Sequence, residues 1–160
     1  MKNIIKESIA KKILYAFIIA IIGFILLNIT FMAYFLFQSI IRFFFRLVIN
    51  IDYNSNYYWY PPLLHLLFVI VISLISWYIF HLKIKNISKA IFFCVPLATV
   101  YVTLGIFFYK LPIITYLLSG LFFISTYYYL IKTKKSWLYY YTLILVSFAM
   151  LLVGLLGVEI

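Results

Sequence analysis

The chain has 160 residues, 68% of them hydrophobic and 10% charged, with a formal net charge of +10. A soluble domain is roughly half apolar and a quarter charged, so this composition leaves lipid as the only fitting solvent and makes the class membrane. The 13 Lys and Arg stand against only Glu7, Asp52 and Glu159, and they fall in the connections between apolar stretches. They therefore read as topology signals and lipid headgroup contacts, not as a nucleic-acid surface.

Five segments reach or approach the roughly 20 apolar residues a helix needs to cross the hydrocarbon core. They predict an all-α helix bundle with spans at 13–37, 63–80, 90–109, 112–131 and 137–156 of a single transmembrane domain, 1–160. Lys2, Lys6, Lys11 and Lys12 precede the first span, whose apolar stretch is too long for a signal peptide core, and Phe35-Leu36-Phe37 is no small-residue cleavage site. It is expected to stay as an anchor.

The stretch 38–60 is the only sizeable connection. Arg42 and Arg46 lie one helical turn apart in its apolar first half, which suits a helix in the interface or a prolongation of the first span. Two arginines so placed snorkel to lipid phosphates, or alternatively clamp the anionic group of a ligand. Asp52-Tyr53-Asn54-Ser55-Asn56 is turn chemistry and leads into the aromatic cluster Tyr57, Tyr58, Trp59 and Tyr60.

Pro61 and Pro62 open the second span and Pro112 the fourth, positions where a missing amide hydrogen costs little. Pro96 falls inside the third span and predicts a kink. His65 and His81 sit near opposite ends of the second span, 16 residues or about 24 Å apart, so they cannot share a metal within one chain. Cys94, the single cysteine, reads as a small buried hydrophobe. No Asp, Glu, Lys or Arg occupies the middle of a span, which argues against proton coupling and intramembrane carboxylate chemistry. No catalytic motif is recognisable, and neither a cofactor nor a metal is expected.

Small and hydroxylated residues recur on helix faces: Thr99 and Thr103, then Thr115, Ser119, Gly120 and Thr126, then Ser147, Gly154 and Gly157. Such faces let helices approach closely, or else line a ligand pocket. The cations fix an orientation. The N-terminal segment, the connection holding Lys83, Lys85 and Lys89, and that holding Lys132, Lys134 and Lys135 carry 10 of the 13. With an odd number of spans they share one side, which places the N-terminus in the cytoplasm and the C-terminus outside the cell membrane.

Trp59-Tyr60-Pro61-Pro62 at the entry to the second span, Phe107-Phe108 shortly before Pro112, and Ser147-Phe148-Ala149 in the fifth span carry a family pattern. Five spans with these pieces resemble the TspO, or tryptophan-rich sensory protein, family. The resemblance implies a five-helix bundle that binds a tetrapyrrole or sterol-like hydrophobe, with Trp59, Phe107, Phe108 and Ala149 near the pocket. The chain departs from the family where Ile70 and Leu145 stand in place of tryptophans, and where Tyr141-Thr142 replaces Pro-Tyr.

The reading is thus a non-enzymatic membrane protein that binds a hydrophobic small molecule or lipid, with Arg42 and Arg46 as further ligand contacts. The alternative is a non-catalytic subunit, or an immunity-type protein, packed against membrane protein partners or copies of itself.

Overall fold

The computed structural model describes residues 9–49, 60–108 and 110–156. They form five helices: α1 Ile9–Ile49, α2 Tyr60–His81, α3 Asn86–Phe108, α4 Pro112–Lys132 and α5 Trp137–Leu155. All five are long and apolar enough to cross a membrane, so the protein is an all-α, multi-pass integral membrane protein. Lipid offers no partner to a free amide, and a helix satisfies its own backbone internally.

α1 differs most from expectation. It continues as one helix of 41 residues, about 60 Å at 1.5 Å per residue, or roughly twice the hydrocarbon thickness. The stretch carrying Arg42 and Arg46 therefore prolongs the first span. No glycine or proline interrupts residues 24–49, so nothing in the chain terminates the helix earlier. Pro96 lies inside α3, where it removes the amide that would pair with the Phe92 carbonyl.

α3 is the centre of the bundle and packs against all four other helices, whereas α4, among the described residues, touches only α3 and α5. Ile19, Ala90 and Leu138 form a buried layer joining the early turns of α1, α3 and α5. Next to it, Cys94, Leu97, Leu130, Tyr139 and Leu143 join α3, α4 and α5, with Phe80 from the end of α2 packed alongside. These layers bring the α1 start, the α2–α3 connection and the α4–α5 connection to one end of the bundle. The cations of those segments gather there, as the odd span count predicts.

Polar bonds secure that end. Lys89 Nζ donates to the Phe80 carbonyl over 2.6 Å, capping the C-terminal end of α2 with a cation from α3. Thr142 Oγ1 lies 3.1 Å from the Ala90 carbonyl and 2.9 Å from that of Leu138, tying α5 to α3. α4 ends in a Schellman turn, in which the Lys135 amide donates to Leu130 and the Lys134 amide to Ile131. Lys134 occupies the left-handed position, φ 49°.

Candidate functional site

Two cavities flank α3. The larger, about 1170 Å³, opens between α3, α4 and α5 and is lined by residues that include Tyr101, Gly105, Thr115, Ser119, Gly120 and Ser147. Its α4 wall sets the small Thr115, Ser119 and Gly120 among the larger Tyr116, Phe123 and Ile124. A Cβ added at Gly105 or Gly120 would meet nothing within 4 Å. The hydroxyls along the cleft are largely tied to protein. Tyr101 Oη and Ser147 Oγ share a hydrogen bond of 2.6 Å across α3 and α5, and Thr115 Oγ1 donates to the Phe108 carbonyl over 3.0 Å. The cleft thus presents an apolar wall with polar groups at few points, as small-molecule sites do. At its far end Gly154 meets Tyr116, whose hydroxyl would stand 3.3 Å from an added Cβ.

The smaller cavity, about 230 Å³, lies between α1, α2 and α3 and is lined by Phe31, Tyr34, Gln38, His65, Phe68 and Thr99 among others. His65 is only 3% exposed. Its Nε2 lies 3.0 Å from Thr103 Oγ1, and the Thr103 hydroxyl donates to the Thr99 carbonyl over 2.6 Å. A hydroxyl has one proton, so Nε2 must carry the hydrogen and donate to Thr103. Nδ1 is then an acceptor, and it is buried without a partner among the described residues. Tyr34 meets the His65 ring edge-on at 5.6 Å and Phe68 at 5.0 Å.

The residues expected from sequence are not gathered around one of these spaces. Phe107, 43% exposed, approaches the His65 ring at 6.5 Å but lines neither cavity, and the same holds for Phe108 and Ala149. The reason is register: Ala149 is exposed on α5, while Ser147, Phe148, Met150 and Leu151 line the cleft. Arg42 is exposed and donates from Nη2 to Gln38 Oε1 over 3.4 Å. Trp59 and the Arg46 side chain lie outside the described residues, as does Gly157.

No family model, no curated protein and no solved structure matches this chain at a significant level.

Two groups of cleft residues had been legible as small-residue faces. Thr115, Ser119 and Gly120 share a side of α4, and Ser147 with Gly154 a side of α5, but these faces border the cleft instead of closing on each other. His65 was legible only as a lone interfacial histidine. Its neighbours come from α1 and α3, at separations in sequence that no local pattern encodes. Among the described residues no three His, Cys, Asp or Glu come together as a metal site.

Proposed function

We propose that the protein binds a hydrophobic small molecule or lipid in the cleft between α3, α4 and α5, and that it performs no chemistry on it. One observation carries the reading: a space of about 1170 Å³ into which Gly105 and Gly120 open without any neighbour within 4 Å. Apolar pockets of roughly 300–1000 Å³ between helices are common ligand sites. The TspO-like pattern suggests the ligand class, a tetrapyrrole or sterol-like hydrophobe, though its Phe107, Phe108 and Ala149 would then act away from this cleft. The cation distribution supports an N-terminus in the cytoplasm and a C-terminus outside.

Native mass spectrometry of protein extracted from its own membranes tests the reading. The wild type should carry a small molecule or lipid of defined mass. Gly105→Phe and Gly120→Phe fill the cleft where space is open, so each should lose most of that adduct while the protein stays folded. A bare wild type, or adducts unchanged in both variants, would overturn it.

A second reading is favoured by the outer face of α4, where Ile113, Leu117, Leu121 and Tyr128 are all at least 60% exposed. An apolar face on a helix with only two neighbours suits a subunit that packs against another membrane protein. Stoichiometric protein partners in the same spectra would support it.

A further inference from the structure

The cleft between α3, α4 and α5 has a length and an opening that narrow its occupant. Its α4 lining runs from Pro112 to Ile124, about 18 Å at 1.5 Å per residue. One leaflet contributes half of a hydrocarbon core of roughly 30 Å, or about 15 Å. On α3 and α5 the lining is confined to the same part of the bundle, from Tyr101 to Ile106 and from Ile144 to Gly154. The cleft thus begins at the α3–α4 connection and stops near the middle of the membrane. There Tyr101 meets the Phe122 ring edge-on at 5.3 Å, and both pack with Leu130, Tyr139 and Leu143 in the core beyond it.

The mouth faces sideways. Among the lining residues, Tyr116 and Ile124 on α4 and Ile144, Phe148 and Leu151 on α5 are exposed. Each set follows helical spacing and so marks one edge of the opening. The α3 lining is buried or half-buried. The opening therefore lies between α4 and α5, where lipid chains run past it. Polarity is graded along its height. Toward the middle, the Tyr101 and Ser147 hydroxyls are bonded to each other, and a helical serine such as Ser119 can turn its hydroxyl to the carbonyl four residues back. An occupant need bring no polar group to that depth. At the connection end Tyr116 reaches Gly154, one residue before α5 ends at Leu155, a level that suits a tyrosine hydroxyl among lipid headgroups. The exposed cation Lys110 stands in the connection itself, two positions before Pro112.

We propose that the cleft takes one acyl chain of a phospholipid from the leaflet on the α3–α4 side. The phosphate lies at the Lys110 and Tyr116 end, and the chain terminus lies at Tyr101. This rests on the cleft being a ligand site and names its ligand. A slot one leaflet deep, open sideways, cationic at one end and apolar at the other matches that molecule in length, entry and charge.

The test reconstitutes the full-length protein in phosphatidylcholine vesicles carrying a photoreactive phosphatidylcholine, with a diazirine either beside the ester or at the end of one chain. After illumination, labelled residues are mapped by mass spectrometry. The ester-side probe should mark Thr115 and Ile106, and the chain-end probe Tyr101 and Phe123. Leu74 on α2, 62% exposed, samples bulk lipid. Gly120→Phe should lose most of the label at Tyr101 and Phe123 and keep that at Leu74. A wild type unlabelled at Tyr101 and Phe123 overturns the proposal, as does a reversed order of the two probes. Both are read on the wild type, so they decide the matter even if Gly120→Phe folds poorly. Cleft label that persists in Gly120→Phe overturns it equally. The adduct in native mass spectra should then have the mass of a phospholipid. A ring compound or free fatty acid as the sole adduct overturns this assignment while leaving the cleft a ligand site, whereas a bare chain overturns both.

Discussion

At Gly23 an added Cβ would stand 2.8 Å from Cys94 Sγ, closer than side-chain carbons come to any atom. Cys94 is 1% exposed, so its sulfur has little room to turn away. This is the close approach of α1 to α3, and it explains why a small residue is needed there. Gly23→Ala should destabilise the protein by about 1–3 kcal/mol, the usual cost of overpacking. Adding Cys94→Ala removes the obstructing sulfur and should recover much of the loss. Reversible denaturation in mixed micelles measures both, and additive losses in the double variant would show that the contact is not the cause. Cys94 had been legible as a small hydrophobe, but its contact with Gly23 was not. The two are 71 positions apart, and only the packing of α1 on α3 makes them neighbours.

Among the elements, α3 and α4 are both apolar helices of similar length, yet their roles differ. α3 buries Ala90, Cys94, Val95, Leu97, Ala98, Thr99, Tyr101 and Val102, whereas the described α4 buries Leu130 alone. In lipid no hydrophobic force separates an inward leucine from an outward one, so stability depends on packing and interhelical bonds. Leu143 on α5 is fully buried and Leu121 on α4 is 60% exposed. Leu143→Ala should therefore cost about 2 kcal/mol or more through the cavity it leaves, while Leu121→Ala should stay within about 0.5 kcal/mol. Chemical unfolding of the two variants in the same detergent checks this, and equal losses would place α4 inside the core. The helices themselves were readable from hydrophobic length and from Pro112 at the start of α4. The extension of α1 to Ile49 was readable only as one of two options, because an interfacial helix and a prolonged span share the same sequence pattern.

For the whole molecule, the buried layers place the connections around Lys85 and Lys134 at one end, and the α3–α4 connection with Lys110 at the other. In a Cys94→Ala background, Lys85→Cys and Lys134→Cys should react with an impermeant maleimide from the same side of the membrane. Lys110→Cys should react from the opposite side. The orientation proposed from the positive-inside rule expects that first side to be the cytoplasmic one. Labelling Lys85→Cys and Lys134→Cys from different sides would break the five-helix topology, and labelling both only from outside would invert the orientation.

Class, helix number and the sorting of charge were determined by the sequence itself, since each rests on a one-dimensional quantity: apolar length, proline position, and cations between spans. The two cavities were decided by tertiary structure alone. Gly120 could have been a tight contact or an open wall, and His65 a solvated ring or a buried acceptor, with no change in local pattern. Lipid is as apolar as the helices it surrounds, so hydrophobicity does not mark which face turns inward. Which faces meet, and where they leave space, depends on the fit of side chains from distant helices, as between Tyr101 and Ser147 or His65 and Thr103.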